Sequence, residues 1–167
     1  VLDLKSDGII KYFGISVNTP EELSDVLNYY PIDFVQLPLN IFDQRFLKNG
    51  MISRLKDMNV KIEARSVFLQ GLLLMDSKDI NPYFIPWLHK FNEFKSWSDT
   101  FKCLNKLDLC ISFVRNNQEI DRVVFGVHSE NQLDQIIQSF QNRIIEDYPD
   151  ISSSDEKLVC PSLWNLS

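Results

Sequence analysis

The sequence predicts an α/β protein with a parallel sheet, built from about four strand–helix units, which is half of a (β/α)₈ barrel. Three observations predict it. Strand-like and helix-like patterns alternate along the chain. Helix starts carry capping signals directly after the strand-like runs. Four such units make half of the eight in a complete barrel, which typically needs about 250 residues.

The first unit follows a short helical remnant around Leu2 and Leu4. Residues 9–16 read as a buried strand, and Thr19-Pro20-Glu21-Glu22 then supplies an N-cap, a proline at the first helical position and a capping box. Leu23, Val26, Leu27 and Tyr30 fall at i, i+3, i+4 and i+7, one face of a helix. The second strand, from Asp33 to Leu37, should stop at Pro38. A helix carrying Phe46, Leu47, Ile52 and Leu55 follows and ends near Asn59. The third strand, Val60 to Ser66, alternates strictly, which places Lys61, Glu63 and Arg65 on one face and Val60, Ile62 and Ala64 on the other. In a barrel the apolar set faces the helices, so the charged set points inward, with Glu63 expected to pair with Lys61 or Arg65. Residues 82–116 read as helical, and Phe84, Trp87, Phe91, Phe94, Trp97 and Phe101 sit at core-like spacing. Arg122 to Val127 is the last strand, and Ser129 to Gln132 is a second capping box. Leu133, Ile136, Ile137 and Phe140 then repeat the apolar face of the first unit. The half barrel should occupy residues 1–147, with 148–167 an irregular tail packing on its outside through Pro161, Leu163 and Trp164.

Composition narrows the function classes. The chain has 167 residues, 44% hydrophobic, with a formal charge of −6 and scattered Lys and Arg, which disfavours a nucleic-acid role. The longest apolar run, Val67 to Met75, is interrupted by Gln70 and Gly71 and falls well short of a membrane span. Cys103, Cys110 and Cys160 form no metal-type spacing and read as reduced structural thiols of a cytoplasmic protein. The start at Val1 shows no signal-peptide pattern and no initiator Met, so a segment of something longer is expected.

The strand ends resemble one family. Gly14-Ile15-Ser16 resembles the glycine–hydrophobic–serine–asparagine motif that closes the fifth barrel strand of aldo-keto reductases. Gln36-Leu37-Pro38-Leu39-Asn40 is similar to the end of the sixth. Residues 64–73 resemble the seventh strand and its loop, and Phe125 to Leu133 the eighth strand with its cofactor-binding helix. The order and spacing cover nearly the whole chain. Each motif falls where a strand gives way to a loop, the face on which barrel enzymes place their ligands.

The resemblance implies a nicotinamide dinucleotide, NADP or NAD, as cofactor, held by Ser16, Gln36, Arg65, Ser66, Phe68, Gln70, Gly71, Gly126, Ser129 and Gln132. Ser16 and Gln36 match residues that hold the carboxamide, although Val17 stands where the family has asparagine; the alternative for each is an ordinary satisfied strand-end group. Arg65 takes the position of the aromatic that stacks on the nicotinamide ring. A planar guanidinium can serve as a stacking surface, and a buried ion pair is the alternative. Ser66, Phe68, Gln70 and Gly71 resemble the loop over the pyrophosphate, where N–H groups near a glycine can approach phosphate closely. Gly126, Ser129, Gln132 and Gln135 open the last helix, whose N-terminus suits an anion. NADP-using relatives place lysine and arginine there, and their replacement by Gly126 and Gln132 leaves NADP preference open. His128 could lend a partial charge, but a lone loop histidine is more often solvated.

The family's catalytic tyrosine, lysine, aspartate and histidine belong to the first half of the barrel. No residue here carries them over: His89 and His128 do not match, nor do Tyr12, Tyr29, Tyr30, Tyr83 and Tyr148. The expectation is therefore the C-terminal half of an oxidoreductase that interconverts carbonyls and alcohols, inactive alone. The alternative is a non-catalytic half barrel that binds a nucleotide or a partner protein. A half barrel also exposes two edge strands, so a homodimer closing a pseudo-barrel is expected.

Overall fold

A computed structural model describes residues 1–166. Four strands, β1 (Gly14–Ser16), β2 (Phe34–Pro38), β3 (Lys61–Arg65) and β4 (Arg122–Val123), form one parallel sheet in the order β1-β2-β3-β4. Eight α-helices are interspersed: α1 (Leu2–Ser6), α2 (Pro20–Leu27), α3 (Arg45–Lys48), α4 (Met51–Asp57), α5 (Leu88–Ser98), α6 (Lys106–Asn116), α7 (Glu130–Ser139) and α8 (Glu156–Val159). This is the α/β architecture of a partial (β/α) barrel.

Alternation along β3 decides which way the sheet faces. Val60, Ile62 and Ala64 are fully buried, while Lys61, Glu63 and Arg65 lie on the other, open face. Glu63 does not pair within its own strand. Its carboxylate accepts from Arg122 Nη1 at 3.1 Å, and Lys61 instead pairs with Asp121 at 2.8 Å. The reason is register: Glu63 lies directly opposite Arg122, and cross-strand neighbours are closer than residues two apart on one strand.

The first strand is shorter than its apolar run. Ile9 and Ile10 both donate to Leu4 O, closing the end of α1 around Gly8 (φ +70), so that Ile9 and Tyr12 end up exposed rather than in the sheet. The last strand also stops early, at Val123, with one more bond from Val124 N to Ala64 O, because its partner β3 ends at Arg65 before the left-handed Ser66. One helix expected between β2 and β3 is two, broken at Gly50, whose φ of +76 suits the glycine. Residues 82–116 likewise divide. Pro86 lies inside a 3₁₀ segment (Pro82–Trp87), and α6 begins afresh at a capping box in which Asn105 and Asp108 bond each other's backbone N–H.

Both helix starts flagged in the sequence form the first half of their box. Thr19 Oγ1 accepts from Glu22 N, and Ser129 Oγ from Gln132 N. The returning bonds reach one residue further back than the motif predicts, to Asn18 N from Glu22 and to His128 N from Gln132. On α7 only Ile136 of the apolar face is buried; Leu133, Ile137 and Phe140 remain exposed, since no further element covers that side.

The core lies between the sheet and its helices, and Phe42, Phe84, Phe91 and Phe94 extend it outward in edge-on contacts. In residues 148–166, Ser153 N donates to Phe42 O, Leu158 and Val159 are buried, and Trp164 packs edge-on against Phe84 at 4.9 Å. No helix among the described residues is long and apolar enough to cross a membrane.

Candidate functional site

The register of the parallel ladder lines up one residue from each strand on the open face: Ser16, Gln36, Glu63 and Arg122. This is a hydroxyl, an amide, a carboxylate and a guanidinium in a row. Gln36 Nε2 makes a long 3.5 Å contact to Glu63 Oε2, while Glu63 Oε1 is held by Arg122. Ser16 is exposed at the strand end, and Val17, buried to 4%, turns away from the open face.

One step further towards the C-terminal rim stands Arg65. Nη2 donates to Val17 O (2.9 Å) and Asn18 Oδ1 (2.8 Å), and Nη1 to Ser66 Oγ (3.2 Å). Burial pushes the guanidinium below its ordinary value, partly offset by the field of Asp43, Cys160 and Glu22. An arginine remains charged under all ordinary conditions. The β1–α2 loop is thus pinned by two arginines, because Arg45 Nη2 also donates to Asn18 O at 3.0 Å. Arg45 is itself fixed by Asp43, fully buried, through bonds of 2.9 Å to each carboxylate oxygen, and this pairing raises the Arg45 guanidinium above its usual value.

Asn40 ties the next loop to this group. Its Oδ1 accepts from Phe42 N and Asp43 N, and its Nδ2 donates to Ser66 O. Beyond Ser66 (φ +58), the chain takes three consecutive left-handed residues, Leu69, Gln70 and Gly71, at φ of +46, +55 and +85. Only the glycine adopts this conformation freely; each of the other two costs about 1–2 kcal/mol. The buried Leu69 side chain holds the loop in place. Among the described residues, the N–H groups of the exposed Gln70 and the partly buried Gly71 donate to no protein acceptor.

Phe68 reaches across to β4 and stacks on Phe125 at 5.4 Å. Gly126 follows, exposed and with open space where a Cβ would stand. Ser129 and Gln132 are exposed at the start of α7, and the Gln132 carbonyl oxygen is occupied by His128 N. The ten residues singled out in the sequence therefore fall into two groups. Ser16, Gln36, Arg65 and Ser66 share the β1–β3 rim with the loop to Gly71. Gly126, Ser129 and Gln132 lie past β4, connected to the first group through the Phe68–Phe125 stack. Asn18, Asn40, Asp43 and Arg45 were not among the ten, although they fix the rim. The signal for three of them was a polar Asn40-x-x-Asp43-x-Arg45 spacing set inside an otherwise apolar stretch.

A cleft of about 650 Å³ between the start of α2 and Ser152–Ser154 is lined by none of the ten, although Arg45 borders it. All three cysteines are free, and no cluster of potential metal ligands occurs among the described residues.

The sequence profile of the aldo/keto reductase family matches residues 1–156. No curated protein matches the chain. Among solved structures, the chain is similar to the aldo-keto reductase AKR11C1 of Bacillus halodurans in its holo form, at 17% identity and a TM-score of 0.69, covering 99% of this chain and 54% of that one. The apo form of the same protein gives 17% identity and a TM-score of 0.68, covering 99% and 55%. The glycerol dehydrogenase AKR11B4 of Gluconobacter oxydans gives 18% identity and a TM-score of 0.55, covering 88% and 55%. The chain thus spans about half the length of these solved relatives.

Proposed function

Because the chain belongs to the aldo/keto reductase family, we propose that it is the C-terminal, cofactor-holding half of an oxidoreductase barrel that interconverts carbonyls and alcohols. The observation that carries this reading is the rim itself. An amide at Gln36, a rigid cation at Arg65 and two unspent N–H groups at Gln70 and Gly71 sit at the C-terminal ends of parallel strands. That donor set suits a molecule that combines a carboxamide with anionic phosphates, so the residues present fit a nicotinamide dinucleotide. Ser16 and Gln36 would hold the carboxamide end, Arg65 would lie against the ring, and Ser66 to Gly71 would cover the pyrophosphate. Gly126, Ser129 and Gln132 would face the adenosine end. The absence of a basic pair at Gly126 and Gln132 supports use of NAD at least as readily as NADP.

When bound, the cofactor supplies the hydride. This chain's own residues bind and orient it, whereas none of its tyrosines or histidines stands in a motif that matches the family's proton-transferring residues. The isolated chain is therefore inactive. The test is a carbonyl-dependent oxidation assay on the pure chain with NADPH and NADH over a panel of aldehydes and ketones. No turnover above the buffer rate is expected, and a reproducible rate that scales with protein concentration would refute the assignment. In this reading the open sheet edges are covered by a second copy of the chain, and the protein works in the cytoplasm.

A further inference from the structure

Arg65 is a cation without a counter-ion. Its three acceptors, Val17 O, Asn18 Oδ1 and Ser66 Oγ, are all neutral, and among the described residues no carboxylate pairs with it. The other cations on the open face of β3 and β4 are neutralised, Lys61 by Asp121 and Arg122 by Glu63. Asp43 is near enough to influence Arg65, but both of its oxygens are already held by Arg45. The guanidinium is also unable to swing away, since the β1–α2 loop holds it and Arg45 holds that loop. The rim consequently carries a fixed, half-buried positive charge with no directly bonded carboxylate, eased only by the field of Asp43, Cys160 and Glu22.

We propose, on the basis of the cofactor reading above, that Arg65 makes this site select the reduced cofactor over the oxidised one. The dihydronicotinamide ring is neutral, whereas the oxidised ring carries a formal positive charge. Only the oxidised form is repelled by a guanidinium lying against it. At separations of roughly 4–6 Å in a partly buried site, this repulsion is enough to weaken binding of the oxidised form by at least about tenfold. By linkage, the same discrimination raises the reduction potential of the bound cofactor, by about 30 mV for each tenfold. Stacking of the guanidinium plane acts in the same direction, since a cation is attracted to the electron-rich neutral ring and not to the cationic one. An aromatic residue at this position would stack on both forms and, through the negative face of its ring, favour the cationic oxidised one instead.

The test measures the affinities of NADH, NAD⁺, NADPH and NADP⁺ by titration calorimetry for the natural chain and for Arg65→Gln and Arg65→Lys, with far-UV circular dichroism confirming that each variant folds. The natural chain should bind the reduced form of its preferred cofactor at least about tenfold tighter than the oxidised form. Arg65→Lys should keep most of that ratio, because it keeps the charge, and Arg65→Gln should bring it close to one. Equal affinity of the natural chain for both forms, or a ratio unchanged in Arg65→Gln, would overturn the inference and leave the cofactor reading standing. Failure of the natural chain and of the folded variants to bind any of the four would remove the cofactor reading and this inference with it.

Discussion

Replacing Asp43 with alanine is expected to destabilise the protein by about 3–5 kcal/mol, the cost of removing one partner from a buried ion pair. Asp43 is fully buried, and its two oxygens satisfy Arg45 Nε and Nη2, both at 2.9 Å. Without it, Arg45, whose side chain is 11% exposed, would retain a carboxylate only at 3.6 Å, from the largely exposed Glu156, and the weak Cys160 Sγ acceptor at 3.5 Å. Arg45 also bonds Asn18 O, so the loop that holds Arg65 should loosen with it. Urea unfolding of the full chain would measure the loss as a lowered midpoint. The double variant Asp43→Ala/Arg45→Met should recover most of it, because the stranded charge is then gone. A single-variant loss below about 1 kcal/mol would mean that the pair is solvated and does not organise the rim.

The second large effect concerns the open edges. The sheet order leaves β1 and β4 each with one unpaired edge. Beside β4, Val124, Val127, Leu133, Ile137, Phe140 and Ile144 are exposed; on the β1 side, Leu4, Ile9 and Tyr12 are exposed. Parallel edges flanked by this much apolar surface drive association. The symmetric solution lays β4 of one copy along β1 of its partner, twice about a two-fold axis, to close eight parallel strands. Light scattering on the pure chain should therefore give a mass of at least a dimer, falling towards one chain in a Leu133→Lys/Ile137→Lys variant. A sharply monomeric mass at high concentration would contradict this expectation.

Much of the fold could be read in the sequence because it rests on patterns with a single physical meaning. Strict alternation from Val60 to Arg65 identified the face that packs on the helices, and Pro38 closes β2 as its missing donor requires. What could not be read depends on neighbours distant in sequence. The apolar run from Ile9 looks like a strand, yet its amides are taken by Leu4 at the end of α1. The face of α7 has a buried pattern but lies open, because burial depends on what covers a face and not on the pattern itself. Glu63 chose Arg122, a residue 59 positions away that only the β3–β4 register brings opposite. The same limit applies to the rim. Its strand-end residues could be picked out by position, whereas Arg45, held by Asp43, steadies it through a bond to Asn18 O, 27 positions away, that the Asn40-x-x-Asp43-x-Arg45 spacing does not announce.

Titration calorimetry of the pure chain with NADPH and then NADH shows whether this half barrel still forms a place for a nicotinamide dinucleotide. Saturable binding of at least one is expected, with NADH bound at least as well as NADPH, since neither Gly126 nor Gln132 offers a charge to a 2′-phosphate. No saturable heat with either cofactor would mean that the chain keeps the family's fold without its site.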